Sequence, residues 1–168
     1  MSGAPDSFRV LVLCTGNSAR SQIGEALLAT RGAARRPRPV SAASAGSRPA
    51  ARVHPYAIEI LGAHGITWAG RSPKHIDAVA EERFELVITV CDNARDACPY
   101  FPGAAVQVHW GLPDPADETE PASARRAFAA TYAALAARID ALLALPLETL
   151  STSELREQVQ AIHTDVRA

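Results

Sequence analysis

The sequence predicts an α/β domain built on a mostly parallel sheet. Short apolar runs rich in Val, Leu and Ile recur along the chain, each bounded by turn residues. Stretches with apolar residues at helical spacing fall between them, and strands alternating with helices favour parallel pairing. At 168 residues the chain is long enough for one domain with a sizeable core.

Residues 1–7 are expected to form a loose tail. Arg9 to Leu13 reads as a buried strand, and Ser18 to about Ala33 as a helix carrying Ile23, Leu27 and Leu28. The stretch Arg31 to Arg38 is basic and broken by proline, so a solvated loop is expected. Val40 to Ser44 is a second short strand. Pro55 to His64 has helical spacing, with Gly65 suited to its end. Glu85 to Cys91 (ELVITVC) is the clearest strand, and Ala105 to Trp110 another. Ala122 to Leu145 carries Phe128, Leu135, Ile139 and Leu142 at helical spacing and stops at Pro146. Thr152 to Val166 reads as a last helix (Leu155, Val159, Ile162). Residues 1–168 are therefore expected to form a single domain, with 147–168 as a C-terminal helical extension.

The net charge of -1 argues against a generic nucleic-acid or membrane-surface binder. No apolar run approaches the roughly 20 residues that span a bilayer, and MSGAPDS lacks the basic and apolar regions of a signal peptide. A cytoplasmic location is expected. Three cysteines in that compartment are thiols to be explained, not a disulfide framework.

Cys14-Thr15-Gly16-Asn17-Ser18-Ala19-Arg20-Ser21 is a Cys-x5-Arg loop between a strand and a helix. A helix N-terminus offers unpaired N–H groups and partial positive charge to an anion. Gly16 and Asn17 can adopt the positive φ that curls successive N–H groups into a nest. Arg20 can add a bidentate fork. The same field favours a Cys14 thiolate, which Ser21 can hydrogen-bond. The bland alternative is a buried structural cysteine before an ordinary helix cap.

The loop resembles that of the low-molecular-weight protein tyrosine phosphatase fold, which also carries a catalytic Asp-Pro far downstream. Asp114-Pro115 stands here in HWGLPDPA. The resemblance implies that Asp114 is the general acid. It also implies a three-layer architecture, with a four-stranded parallel sheet in the order 2-1-3-4 flanked by helices. Cys91 and Cys98, in VCDNARDACP, together with Ala116 after the Asp-Pro, resemble the arsenate reductase branch of that fold. The likeness covers roughly residues 8 to 145.

The resemblance implies reduction of arsenate to arsenite by a thiol relay. Arsenate binds in the loop at residues 15–21, namely Thr15, Gly16, Asn17, Ser18, Ala19, Arg20 and Ser21. Cys14 attacks arsenic, Cys91 attacks Cys14, and Cys98 resolves the Cys14–Cys91 disulfide into a Cys91–Cys98 disulfide. If the strands that end in Cys14 and Cys91 are neighbours in the sheet, their backbones stand about 4.8 Å apart, which is compatible with the first disulfide. If residues 91–98 were helical, Cys91 and Cys98 would stand about 10 Å apart, and the second would require that segment to unwind. No cofactor is expected to be bound, but an external thiol reductant is required. Thioredoxin is the first expectation. The loop NSARS and the C-terminal segment also resemble a subgroup coupled to glutathione and glutaredoxin. Ala19 stands where some thioredoxin-coupled members have an extra cysteine.

Some family members bind potassium beside the loop through an Asn, a Glu, a Ser and an Asp. Asn17, Glu25 and Ser44 match three of these, while Lys74 falls at the fourth. The Lys74 ammonium is expected to replace the metal charge by bonding Asn17 or Glu25, so no metal is expected. The alternative for Lys74 is a solvated surface lysine. A monomer is expected, with no nucleic-acid or membrane partner. Other readings stay open. The protein is a phosphatase acting on phosphotyrosine or a small phosphomonoester, or an oxyanion or redox sensor without turnover. Cys91 and Cys98 are inert thiols, or zinc ligands with His109, although their spacing matches no compact zinc pattern. His54, His64, His75 and His163 are expected at surface or satisfied positions.

Overall fold

The computed structural model describes residues 7–92 and 100–165. Four strands, β1 (Phe8–Cys14), β2 (Val40–Gly46), β3 (Phe84–Thr89) and β4 (Ala104–His109), pair in parallel in the order β2-β1-β3-β4. The helices are α1 (Arg20–Gly32), α2 (Pro55–Ala63), α3 (Pro121–Leu143) and α4 (Thr152–Asp165), with one-turn 3-10 helices at Ile76–Val79 and Pro115–Asp117. The expected class and strand order are observed.

The central strand β1 is apolar on both faces because both are covered. Val10, Val12 and Cys14 face a core shared with Ile23 and Leu27 of α1, Phe128 and Leu135 of α3 and Val159 of α4. Leu11 and Leu13 face a smaller cluster with Val87, Phe84, Val79 and Phe101. The strand register places Cys14 opposite Gly46 and Leu13 opposite Thr89, so β1, β2 and β3 deliver their ends to one edge.

Helix boundaries follow capping chemistry. Pro55 and Pro121 occupy first turns, where a missing N–H costs nothing. His54 and Glu120 cap those helices through their side chains. Ser151 and Glu154 form a reciprocal capping box at the start of α4. The basic loop is not the solvated segment its composition suggests. Arg31 pairs with Asp140, Arg35 with Glu148 and the carbonyls of Leu143 and Leu145, and Arg38 with Glu85. Arg35 caps the end of α3, Arg31 ties α3 to α1, and Arg38 ties the loop to β3.

The clearest predicted strand ends early: β3 stops at Thr89, and Cys91 lies two residues beyond it. Val90 still donates to the Leu13 carbonyl, so the chain leaves the sheet at Cys91. Among the described residues, no helix is long and apolar enough to cross a membrane.

Candidate active site

β1 ends at Cys14 on the carboxyl edge of the sheet, where α/β proteins bind ligands. The chain then turns through 15–19 into α1. Asn17 is left-handed (φ 49°), as expected, whereas Gly16 is not. This curl aims the Asn17 N–H back at Cys14 Sγ, 3.2 Å away. Ser21 Oγ lies 2.9 Å from the same sulfur. Ser21 Oγ already accepts from Asn17 Nδ2 at 2.7 Å, which leaves its proton for the sulfur. The sulfur thus receives two hydrogen bonds, an arrangement suited to a thiolate.

The start of α1 has no side-chain cap and no acidic residue in its first turn, so its N–H groups are left for a ligand. Two buried side-chain atoms at the loop, Thr15 Oγ1 and Arg20 Nε, lack partners. Arg20 is only 3% exposed. A buried guanidinium N–H without an acceptor is costly, and an oxyanion in the loop would supply one. Arg20 also gathers the surrounding segments. Its Nη1 donates to the carbonyls of Leu112 (3.0 Å) and Val90 (3.4 Å), and its Nη2 stands 3.4 Å from Asp114 Oδ2. Asp114 caps the 3-10 turn at Pro115–Asp117, its Oδ1 accepting from the Ala116 N–H at 3.0 Å. Its side chain is 34% exposed, so the carboxyl reaches solvent.

Cys91, like Cys14, is buried. It follows β3, the strand beside β1. Cys98 lies outside the described residues, and with it the expected second disulfide. The Ser18 hydroxyl donates to the Arg52 carbonyl, and the Ser18 carbonyl accepts from the His54 N–H. Ala19 precedes α1 and its carbonyl accepts from Ile23.

Asn17, Glu25 and Ser44 do come together. Asn17 Nδ2 donates to Ser44 Oγ at 2.9 Å, and Ser44 donates to Glu25 Oε1 at 2.6 Å. Lys74 does not fill the role expected of its ammonium. Its backbone N–H donates to Asn17 Oδ1 at 2.9 Å and its carbonyl accepts from Gly46. The cation beside Glu25 is Arg71, with Nη1 3.5 Å from Glu25 Oε2. The residues present do not fit a potassium ion. Asn17 Oδ1 already accepts from Lys74 and Gln22, and the Glu25 charge already faces a guanidinium. Among the described residues, no group of three or more His, Cys, Asp or Glu could hold a metal ion.

Several contributors were not singled out from the sequence. Gly46 stands where a Cβ would fall 2.4 Å from the Thr15 carbonyl, so only glycine lets β2 approach the loop this closely. Gln22 Nε2 donates to the Asn17 carbonyl and Oδ1, while Gln22 Oε1 accepts from buried Trp68 Nε1 at 2.8 Å. Residues 47–54 form a rim, donating to the carbonyls of Cys14, Thr15, Gly16 and Ser18. His54 ends this rim. Its ring packs 4.6 Å from that of Phe128, and its Nδ1 accepts from the Tyr56 N–H. Burial pushes its pKa below the usual imidazole value, with the charge of Asp114 opposing. Burial likewise lowers His109, whose Nδ1 lies 2.7 Å from Thr89 Oγ1.

A thiol under an uncapped helix N-terminus, with a buried arginine and a facing aspartate, defines the class of a thiol nucleophile acting on an oxyanion. The model of the low molecular weight phosphotyrosine protein phosphatase family matches residues 9–161, and the chain belongs to that family. It is 37% identical over 112 residues to an arsenate reductase of Bacillus anthracis, covering 67% of this chain and 80% of the relative. Among solved structures it resembles an arsenate reductase of Archaeoglobus fulgidus, at a TM-score of 0.60 and 28% identity, over 78% of this chain and 98% of that one. It also resembles a thioredoxin-dependent arsenate reductase of Corynebacterium glutamicum, at a TM-score of 0.57 and 30% identity, over 79% of this chain and 60% of that one.

Proposed function

We propose that the protein is an arsenate reductase serving arsenic detoxification. The observation that carries this reading is Cys14 held beneath an uncapped, arginine-lined oxyanion loop, with Cys91 just past the end of the adjacent strand. The activity named for the relatives supports it.

Arsenate binds to the loop N–H groups and Arg20. The Cys14 thiolate attacks arsenic, an As–O bond breaks, and Asp114 gives its proton to the departing hydroxyl, which leaves as water. Cys91 as thiolate attacks Cys14 Sγ. The S–As bond breaks and its electron pair stays on arsenic, so As(V) becomes As(III) while two thiols become one disulfide. Cys98 then attacks Cys91 and releases Cys14. A dithiol reductant of the thioredoxin class restores the Cys91–Cys98 pair, in keeping with the thioredoxin-dependent relative.

The test is arsenite production by the purified protein, with thioredoxin and its reductase compared against glutathione and glutaredoxin. Turnover lost in Cys14→Ser and Cys91→Ser supports the reading, and the active couple names the reductant. Absence of arsenite with both couples, alongside Cys14-dependent hydrolysis of a phosphomonoester, makes the protein a phosphatase instead.

A further inference from the structure

Two hydrogen-bond chains converge on Asn17, and both lead outward to one exposed residue. The first runs from Asn17 Nδ2 through Ser44 to Glu25 Oε1, while Glu25 Oε2 faces Arg71. The second runs from the Asn17 carbonyl and Oδ1 through Gln22 to Trp68 Nε1. The Arg71 guanidinium lies 3.8 Å above the Trp68 ring. Arg71 thus touches the outer end of both chains. Gly70, with φ +85°, makes the turn between Trp68 and Arg71.

The charges explain why a cation belongs there. The Glu25 side chain is 11% exposed and its one hydroxyl partner leaves the negative charge unmatched. The Arg71 side chain is 51% exposed, so it covers the carboxylate from the solvent side.

We propose that Arg71 is a positioning residue, a built-in cation that neutralises Glu25 and, together with Trp68, holds Asn17 in the left-handed conformation that shapes the oxyanion loop. Arg71 does this from outside the loop, touching neither Cys14 nor the anion. The inference rests on the reading of residues 14–20 as an oxyanion loop, and not on the fate of arsenic.

The experiment compares wild type, Arg71→Met and Arg71→Lys in choline chloride and in potassium chloride of equal ionic strength. Loop integrity is read as protection of Cys14 from iodoacetamide by inorganic phosphate, followed on the peptide containing Cys14. Thermal midpoints are measured alongside. In choline, Arg71→Met is expected to lose about tenfold in apparent phosphate affinity, equivalent to ~1.4 kcal/mol, within the range for residues sharing one network. Potassium is expected to restore the affinity and raise the thermal midpoint of Arg71→Met alone, by entering the space beside Glu25. Arg71→Lys is expected to retain most of the affinity in choline, and wild type to ignore the exchange of cations. Wild-type affinity in Arg71→Met overturns the proposal. So does a loss that neither potassium nor lysine repairs, which would make Arg71 a packing residue over Trp68. So does a wild-type response to potassium equal to that of the Met variant. Arsenite production in the same preparations separates the two ideas: rescue without arsenite would leave the loop device standing and remove the reductase reading.

Discussion

Arg20 Nη2 lies 3.4 Å from Asp114 Oδ2, and this pair joins the anion loop to the segment after β4. The same guanidinium is bonded to the carbonyls of Leu112 and Val90, so the acid and the loop share one rigid support. In the proposed reaction, this contact holds Asp114 beside Arg20 as the proton donor.

Asp114→Asn keeps the shape of this support and removes the proton. The expected outcome is a fall in kcat of about 10²–10⁴-fold, the usual range for a general acid. KM for arsenate is expected to change far less, because the loop N–H groups and Arg20, which hold the anion in the proposed reading, stay in place. Steady-state kinetics on the pure variant check this split.

Ser21→Ala removes the hydroxyl 2.9 Å from Cys14 Sγ and the acceptor used by Asn17 Nδ2. A hydrogen bond to a charged group contributes about 1.5–3 kcal/mol, so reactivity of Cys14 toward iodoacetamide near neutral pH is expected to fall roughly ten- to a hundredfold. Unchanged alkylation would mean that the sulfur does not depend on this contact.

Gly46→Ala places a Cβ 2.4 Å from the Thr15 carbonyl, and backbone cannot yield cheaply. A loss of about 1–3 kcal/mol of stability is expected from such overpacking. Phosphate protection of Cys14 is expected to weaken in parallel, because the strain falls on the loop. Chemical denaturation and the protection assay together test this.

Glu148 is held down to a pKa of about 2, first by its hydrogen bond from Arg35. A depressed carboxylate contributes stability that is present above its unfolded pKa of about 4.3 and is lost as pH falls toward its folded value. Glu148→Gln is therefore expected to lower the thermal midpoint near neutrality. The difference from wild type is expected to shrink between about pH 4.3 and 2 and to vanish below that window. A difference that stays constant with pH would contradict the ion pair as its source.

What the sequence revealed follows from how the site is assembled. Cys14 to Arg20 was legible because an anion loop at a helix N-terminus needs contiguous residues in a fixed order. Asp114 was legible because Asp-Pro follows a strand on the ligand-binding edge. Arg71 was not legible, although Lys74 stands only three residues away. The turn at Gly70 and the face of Trp68 decide which cation reaches Glu25, and neither leaves a pattern in the sequence. Gln22 was hidden for a similar reason, since it reads as an ordinary surface residue of a helix until Trp68 covers it. The basic loop misled because its partners Glu85, Asp140 and Glu148 are distant in sequence. The strand β3 read two residues too long because Val90 and Cys91 are buried outside the ladder as fully as the strand itself.

The central claim is that Cys91 carries electrons to Cys14. The most direct measurement is a single turnover of Cys98→Ser with excess arsenate and no external reductant, followed by peptide mapping of the disulfides. The account predicts one arsenite per chain and a Cys14–Cys91 disulfide formed in the same amount. Arsenite without that disulfide, or neither product from a variant that still binds arsenate, would contradict it.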